Sequence, residues 1–314
     1  MNTLIQNLRS KAKSAPKKII FPDFKDDRIQ QAVKVIQDEG IAKPVLLTTD
    51  NMEKERQEEF ANIYYKNKPN KYNSFEEVRE LMEDPLYYAM MSVQLGYVDG
   101  VVAGASYPTS SVARAAIQCL EVDPQMNLIS SCFVMAVPQC SYGERGVFIY
   151  ADCGIIPYPT AEQLSYIAFS SAQFMHDILE YEPRIAFLSF STKGSAKGRW
   201  IDKIREATQL TKERWPDLLV DGELQADAAL DAEVAKRKLP HSVVAGKANV
   251  LIFPNLDAGN ICYKLTQRLA KARALGPIVL GFKQPCSDLS RGCSVEDIID
   301  CTAVTVIRAQ KECS

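Results

Sequence analysis

A hydroxyl, a guanidinium and several carboxylates lie close together in the stretch 285–297, which reads Pro-Cys-Ser-Asp-Leu-Ser-Arg-Gly-Cys-Ser-Val-Glu-Asp. The stretch follows an apolar run at 277–282, which predicts a buried strand, and precedes a second apolar segment that begins at 298. A strand, a polar loop and a helix start are therefore expected in this order. Arg291 suits phosphate or carboxylate, because its fork of donors matches their oxygens. The helix start adds free N–H groups and a positive dipole end, which favour an anion.

The same stretch also has a purely structural interpretation. Ser294 and Asp297 fit a capping box, with Ser294 as the N-cap and Asp297 at the third helical position. Arg291 could pair with Asp288 on the surface, which would contribute little to stability. This stretch by itself leaves both interpretations open.

The composition limits what kind of protein this is. With 314 residues the chain is too long for one ordinary core, so we expect about two domains. Its 46% hydrophobic and 24% charged residues are typical of a globular protein. The formal net charge of -2 provides no general basic field for nucleic acid, and no apolar run approaches the length of a membrane span. We expect neither nucleic acid nor a membrane as a partner.

Cysteine and histidine usage indicates the compartment and argues against a metal site. The chain has nine cysteines and no C-x-x-C pair, which indicates free thiols in a reducing cytoplasm. The apolar continuation of the N-terminal basic run is far too short for a signal peptide. Only two histidines occur, His176 and His241, so a multi-histidine metal site is not expected. We predict a cytoplasmic protein without a bound metal.

The elements that must position the polar loops follow from hydrophobic periodicity. In the first part of the chain a strand, a helix and a strand in sequence predict a parallel sheet. A highly charged segment at 49–82 predicts exposed helices and loops. The remaining helices of this part are predicted at 3–14, 27–39 and 85–95, and its strands at 18–22, 44–47 and 99–104.

A hydroxyl-rich turn follows the strand at 99–104 and opens a helix. Thr109, Ser110 and Ser111 could cap that helix, or they could present hydroxyls and N–H groups to an anion. Arg114 would then lie on the first turns of the same helix. Both interpretations remain open from the residues.

From residue 127 polar loops repeatedly follow strands. One of them, 191–197, contains Lys193 between a strand and a helix, which is the layout of a phosphate cradle but not a Walker A motif. Acidic and amide residues end two further strands, where open α/β sheets place ligands. Strands are predicted at 128–137, 147–150, 184–190, 218–220 and 249–253, and helices at 160–179, from 198 to about 214, and from 261 to 274.

The motifs in these loops resemble those of the phosphate acetyltransferases (phosphotransacetylases), in the phosphate acetyl/butyryltransferase family. The resemblance covers nearly the whole chain from about residue 18. Its most specific parts are FSTKGSAK at 190–197, DGELQ at 221–225, FPNLDAGN at 253–260 and DLSRGC at 288–293. Several long motifs in the right order favour the functional interpretation of the opening stretch.

The resemblance implies an α/β fold of two α/β domains with a cleft between them, like that of the isocitrate and isopropylmalate dehydrogenases. The first domain would be discontinuous, formed by 1–126 and 284–314, and the second would span 127–283. The active site would lie in the cleft, and the protein would be a homodimer.

The resemblance also implies the reversible reaction acetyl-CoA + phosphate ⇌ acetyl phosphate + CoA, with these substrates as the partners and no cofactor or metal. Arg291 would hold the phosphate or the acyl oxygen, Ser290 would hydrogen-bond the tetrahedral intermediate, and Asp297 would take the proton of the CoA thiol. The thiolate would attack directly in a ternary complex. The expected substrate-binding residues are Thr109, Ser110, Ser111, Arg114, Lys193, Asn255 and Asn260.

Departures from the family pattern bear on the acyl chain. Tyr107 and Pro108 stand where the family usually has a histidine, and Ala115 replaces the usual proline after Arg114. Phosphate butyryl- or propionyltransfer is therefore the close alternative. A metal- and NAD-dependent dehydrogenase is disfavoured because no G-x-G-x-x-G occurs. A non-catalytic binding relative is disfavoured because the proposed catalytic residues are all present.

Overall fold

The structure, a computed structural model, describes residues 2–68 and 74–311. The strands are β1 Lys18–Phe21, β2 Lys43–Leu46, β3 Gly100–Ala103, β4 Ser130–Ala136, β5 Val147–Ala151, β6 Arg184–Leu188, β7 Leu219–Leu224, β8 Val250–Ile252, β9 Arg273–Leu280 and β10 Cys286–Asp288. The helices are α1 Asn2–Ser14, α2 Asp27–Asp38, α3 Lys54–Asn67, α4 Phe75–Leu81, α5 Pro85–Gln94, α6 Thr109–Cys119, α7 Ala161–Asp177, α8 Arg199–Arg214, α9 Ala226–Leu230, α10 Ala232–Lys238, α11 Leu256–Leu269 and α12 Val295–Lys311, with a 3-10 turn at Thr49–Asn51.

The chain divides into two compact units. The first, here called the split unit, comprises residues 2–122 and 282–314, and the second, the continuous unit, comprises 123–281. The domain boundaries predicted from the sequence, after 126 and after 283, lie a few residues further along the chain. Each unit contains its own strands and helices, as expected for a chain of this length.

The split unit contains a parallel sheet in the order β2-β1-β3-β10. The predicted parallel arrangement of the first strands is confirmed. β10 pairs with β3 in register, Ser287 beside Val102 and Asp288 beside Ala103. Because all four strands run the same way, the loops that follow β1, β3 and β10 leave the sheet at one edge.

The helix α2 illustrates why these residues form the predicted elements. Ile29, Ala32 and Ile36 are fully buried and recur at helical spacing. The N-cap Asp26 accepts a hydrogen bond from the backbone N–H of Arg28, and Gly40 follows the helix with φ +68°. The predicted helix at 27–39 is therefore confirmed, and its start lies directly after the β1 loop.

The continuous unit has a mixed sheet in the order β9-β4-β5-β8-β6-β7. β4 is antiparallel to both β5 and β9, whereas β5, β8, β6 and β7 are mutually parallel. The predicted adjacency of the strands at 128–137 and 147–150 is confirmed. Phe133 of β4 stacks on Tyr263 of α11 with the ring centroids 4.0 Å apart, which joins this sheet to its helix.

Several elements differ from the sequence prediction. The stretch 285–297 was expected to be a loop, but it begins with the strand β10, which forms because β3 supplies hydrogen-bond partners. The helix predicted to reach 274 ends at Leu269, and the following strand begins at Arg273 rather than 277, because it pairs with β4 along its length. The charged segment 49–82 is also not fully exposed, since α3 buries Phe60.

No helix in the described ranges combines the length and apolar character needed to cross a bilayer. The same residues contain no cluster of three or more histidine, cysteine or acidic side chains arranged to hold a metal ion.

Candidate active site

Three loops of the split unit meet at the edge where β1, β3 and β10 end. They are the β1–α2 loop at 22–26, the β3–α6 loop at 104–108 and the β10–α12 loop at 289–294. The backbone N–H of Leu289 donates to the carbonyl oxygen of Ala103 at 2.6 Å, which extends the β3–β10 pairing into the loops. The fold thus brings together Ala103 and Leu289, which are 186 positions apart in the sequence.

The β10–α12 loop is a tight turn around Ser290 and Arg291. The N–H of Cys293 donates to the carbonyl oxygen of Ser290 at 2.8 Å, and the N–H of Gly292 donates to Ser290 Oγ at 3.3 Å. The Arg291 side chain is exposed, and its guanidinium has no hydrogen-bond or ion-pair partner among residues 2–68 and 74–311. A guanidinium in this position can bind an external anion without first breaking an internal contact.

The surface pair of Arg291 with Asp288 that the sequence allowed does not form. Asp288 is only 2% exposed, and neither carboxylate oxygen has a hydrogen-bond partner in the described part of the chain. Burial raises the pKa of Asp288 to about 7; the nearby Thr109 hydroxyl lowers it, and the charge of Asp23 raises it further. A buried carboxyl group with a raised pKa thus lies directly before the Ser290 turn.

Gly104 must be a glycine because of this carboxyl group. Its φ is +107°, and a Cβ at this position would overlap the Asp288 carboxylate and lie 2.7 Å from the backbone nitrogen of Leu289. The close approach of the β3–α6 and β10–α12 loops therefore depends on the absent side chain.

Asp297 takes the structural role that the capping box predicted. Its Oδ2 accepts hydrogen bonds from the N–H of Ser294 at 2.9 Å and from Ser294 Oγ at 2.8 Å, while its own N–H donates to Ser294 Oγ at 3.2 Å. The capping contacts fix the orientation of the carboxylate within the first turn of α12. They are compatible with a catalytic role, which stays a prediction together with those of Ser290 and Arg291.

The hydroxyl groups of α6 do not act as caps. The N-cap position is Pro108, which has no hydroxyl, so Thr109, Ser110 and Ser111 are the first three helical residues. Arg114, one turn further, is exposed, and its guanidinium has no partner among the residues that the structure describes. The capping interpretation of this turn is therefore wrong, and substrate binding by these four residues stays a prediction.

Two charged residues of the β1–α2 region hold the loops together and were not identified from the sequence. Asp23, which is buried, accepts hydrogen bonds from the N–H groups of Gly104 and Ser106 and from Ser106 Oγ, at 2.6–3.1 Å. Arg28 donates to backbone carbonyl oxygens of Ala105, Arg291 and Cys293, at 2.8–2.9 Å. In the sequence, only the acidic N-cap Asp26 two residues before Arg28 pointed to this side chain. That local spacing does not reveal its distant carbonyl partners.

The cysteines that flank the site are shielded. Cys286 is completely buried, and burial raises the pKa of its thiol to about 12. Burial also raises the pKa of the Cys293 thiol to about 11. Because the thiolate is the reactive form, neither cysteine is a ready nucleophile or an easy target for oxidation in this structure.

The other predicted substrate-binding residues belong to the continuous unit, and each has an internal partner. The Lys193 ammonium forms an ion pair with Asp221 and donates to the carbonyl oxygen of Gly222 at 2.7 Å. Asn255 caps α11 by accepting from the N–H of Ala258 at 3.0 Å. Asn260 Nδ2 donates to the carbonyl oxygen of Cys153 at 3.1 Å. Their roles in substrate binding stay predictions.

Lys193 also lines a basic cavity in this unit. The cavity has a volume of about 440 Å³, and its walls include Lys212, Lys238 and His241. Both Lys193 and Lys212 contact Asp221, and Lys238 pairs with Asp227. Much of the positive charge of this cavity is therefore already neutralised by the protein itself.

The chain is similar to known proteins over nearly its whole length. The profile of the family described as "Phosphate acetyl/butaryl transferase" matches residues 3–306. The phosphate acetyltransferase of Acetivibrio thermocellus is 46% identical over 327 aligned positions, which cover 98% of this chain and 98% of that protein. The crystal structure of a phosphotransacetylase from Streptococcus pyogenes superposes with a TM-score of 0.89 at 34% identity, covering 99% of each chain.

A more distant likeness concerns the fold alone. A candidate 4-hydroxythreonine-4-phosphate dehydrogenase from Salmonella typhimurium is 12% identical and has a TM-score of 0.53 over 94% of this chain and 99% of that one. The predicted dehydrogenase-like α/β fold is thereby confirmed. The match of the family profile to nearly the whole chain, and the high identity to a full-length relative, show that this protein belongs to the phosphate acetyl/butaryl transferase family.

Proposed function

We propose that this protein is a phosphate acetyltransferase, which catalyses acetyl-CoA + phosphate ⇌ CoA + acetyl phosphate. Membership of the family and the names of its full-length relatives support this activity. The structural observation that carries the proposal is the Arg291 guanidinium, which is exposed and has no partner among the described residues, next to Ser290 and six residues before Asp297. CoA, acetyl phosphate and inorganic phosphate are the proposed substrates, and no cofactor is required.

The proposed mechanism is a direct attack in a ternary complex. The Asp297 carboxylate takes the proton of the CoA thiol, whose ordinary pKa is about 8.5, so that the thiolate fraction rises. The sulfur then forms a bond to the acetyl carbon, and the carbonyl electron pair moves onto the oxygen. The tetrahedral intermediate collapses as the bond between the acetyl carbon and the phosphate oxygen breaks, and phosphate leaves with that electron pair.

The charged and polar groups of the β10–α12 loop act on the developing charges. Arg291 binds the phosphoryl oxygens or the carbonyl oxygen, where negative charge increases in the transition state. The Ser290 hydroxyl donates a hydrogen bond to the intermediate. Thr109, Ser110, Ser111 and Arg114 on the neighbouring α6 are proposed to bind the anionic parts of the substrates.

The biological setting is proposed on the same family resemblance. The protein functions as a homodimer in the cytoplasm, without a nucleic acid or membrane partner. Eight cysteines of the described chain carry free thiols, which fits a reducing compartment. Analytical ultracentrifugation at several protein concentrations tests the dimer directly.

The activity is tested by the absorbance of the thioester formed from acetyl phosphate and CoA. We expect rapid turnover by the wild type and a loss of about 1000-fold in kcat/KM for Arg291→Ala, because a preorganised donor to the developing charge is removed. The matched control is Arg268→Ala, which removes an exposed arginine of α11 in the continuous unit that likewise has no partner in the described ranges. Turnover absent in the wild type would refute the activity, and equal rates for Arg291→Ala and Arg268→Ala would refute the site.

Transfer of a longer acyl group is the second candidate. The family profile covers butyryl as well as acetyl transferases, and Tyr107 and Pro108 depart from the usual loop residues. The same assay with butyryl phosphate measures the preference. A higher kcat/KM for butyryl phosphate than for acetyl phosphate would keep the mechanism and change the substrate.

A further inference from the structure

Arg28 is a charged side chain that donates three hydrogen bonds to the backbone of the candidate site. Its Nη1 donates to the carbonyl oxygens of Arg291 at 2.9 Å and Cys293 at 2.8 Å, and its Nη2 donates to that of Ala105 at 2.9 Å. One guanidinium therefore binds two carbonyl groups of the β10–α12 loop and one of the β3–α6 loop.

The guanidinium is itself held in a fixed orientation. Asp26 accepts from Arg28 Nε at 3.0 Å and from Nη2 at 2.7 Å, and it also caps α2 through the backbone N–H of Arg28. These hydrogen bonds hold the pKa of Arg28 above its ordinary value. Because Asp26 and Arg28 lie at the start of α2, the well-packed helix serves as the support for both loops.

Two of the carbonyl groups that Arg28 binds lie in the same loop as the residues that would act on substrate. Arg291 contributes a carbonyl to Arg28 while its own side chain is exposed, and the Cys293 carbonyl lies one residue before the Ser294 cap that orients Asp297. The Arg28 fork thus fixes the backbone at two points in the turn that carries Ser290 and Arg291.

We propose that Arg28 is the positioning residue of the acyl transfer reaction, which holds the β10–α12 loop in its reactive geometry and ties it to the β3–α6 loop. This inference rests on the proposed roles of Ser290, Arg291 and Asp297. Arg28 binds backbone rather than substrate, so it acts on the rate of the bound complex more than on affinity. Lysine cannot replace it, since an ammonium lacks the planar fork that reaches three carbonyls and Asp26 together.

The test compares Arg28→Ala and Arg28→Lys with Arg9→Ala. Arg9 is a suitable control because it pairs with Asp300 and Glu296 of α12, the helix that follows the same loop, rather than with the loop itself. We expect Arg28→Ala to lower kcat about 100-fold with a much smaller change in KM, as for a small misplacement of reacting groups. Arg28→Lys should recover only part of the loss, and added guanidinium ion should partly restore Arg28→Ala.

A second readout does not depend on activity. Arg28 Nη1 lies 3.9 Å from the Sγ of Cys293, so release of the loop should expose this thiol. We measure the rate at which a chromogenic aryl disulfide modifies Cys293, located by peptide mass mapping. The rate should increase in both Arg28 variants and stay at the wild-type value in Arg9→Ala. If Arg28→Ala folds poorly, Arg28→Lys still allows this measurement, because the lysine variant retains the positive charge at this position.

The outcomes separate the inference from the proposed function. A kcat of Arg28→Ala and Arg28→Lys within about twofold of wild type, or a Cys293 rate equal to that of Arg9→Ala, would overturn the positioning role. If the thiol becomes reactive while Arg291→Ala retains full activity, Arg28 still holds the loop but the proposed catalytic site is wrong. Loss of kcat together with faster modification of Cys293 supports the inference.

Discussion

Two buried carboxylates, one in each unit, have opposite surroundings. Glu223 in the continuous unit is 1% exposed and accepts hydrogen bonds from Arg205, Ser191 and the N–H of Gly194. Burial acts to raise its pKa, but these bonds outweigh it and lower the pKa to about 2. Asp288 in the split unit is equally buried, but it lacks a hydrogen-bond partner in the described chain, and its pKa rises to about 7.

The difference extends to the loops around these residues. In the continuous unit Lys193, Asn255 and Asn260 are already bonded to the protein. In the split unit Arg291 and Arg114 are exposed and, within the described residues, without internal partners. Polar motifs of similar appearance therefore have different surroundings in the two units. The polar side chains of the continuous unit already make hydrogen bonds within the protein, whereas the two arginines of the split unit are available to a ligand.

The largest expected effect concerns Asp297. We expect Asp297→Asn to lower kcat about 1000-fold, because the amide cannot take the thiol proton. Initial rates of thioester formation across a range of CoA concentrations give this value.

Ser294→Ala is the control for the capping role of Asp297. It removes the two hydrogen bonds of the Ser294 hydroxyl but keeps the backbone N–H that donates to Asp297. It should lower the free energy of unfolding by about 1 kcal/mol, while the carboxylate and most of the activity remain. Equal activity losses in Ser294→Ala and Asp297→Asn would assign Asp297 a capping role alone.

Asp288→Asn should change the pH dependence of stability. The pKa of Asp288 is raised from 3.8 to about 7 in the folded protein. Its contribution to the free energy of unfolding is therefore greatest below pH 3.8 and is lost as the pH rises towards 7. Between about pH 5 and about pH 8 the wild type should therefore lose about 3 kcal/mol relative to Asp288→Asn. Urea unfolding of both proteins at these two pH values measures the difference.

Glu223→Gln provides the opposite case. Because the pKa of Glu223 is lowered in the folded protein, its contribution to the free energy of unfolding is present above pH 4.5 and is lost as the pH falls towards 2. The variant should be less stable than wild type near neutral pH by about 2 kcal/mol, after allowance for water access to Arg205, and the difference should shrink in acid. The same sign of pH dependence for both variants would contradict the contrast between the two carboxylates.

The smallest expected effect concerns Lys193. Since its ammonium is engaged by Asp221 and Gly222, Lys193→Met should lower the free energy of unfolding by about 1 kcal/mol and leave the KM values for CoA and acetyl phosphate nearly unchanged. Asp221→Asn, which weakens the same pair, is the matched variant. A KM increase of about tenfold in Lys193→Met alone would instead support the substrate-binding role predicted from the sequence.

Local patterns allowed much of the fold to be predicted. The strand β1 and the helix α2 followed from hydrophobic periodicity and a terminal glycine, and Ser294 and Asp297 form the capping box that their spacing indicated. These features depend on residues within one or two turns of each other. Local chemistry is enough to determine them.

The features that were missed depend on distant partners. β10 has no alternating pattern and exists because β3 pairs with it. Arg28 resembles any polar residue of a helix start until its carbonyl partners, 263 and 265 positions away, are known. The exposed state of Arg291 and the burial of Asp288 likewise follow from tertiary packing, so a motif could nominate Arg291 but could not distinguish its environment from that of Lys193.

The position of β10 and α12 after the whole continuous unit in the sequence has a consequence for biosynthesis. A ribosome releases the N-terminal part of the split unit and then the whole continuous unit before it reaches Cys286. During translation the continuous unit can fold as soon as it emerges, whereas β3 must wait for its partner strand. A nascent chain that has not yet reached residue 286 thus lacks the Ser290 turn altogether, and the candidate site forms only after the whole continuous unit has been made.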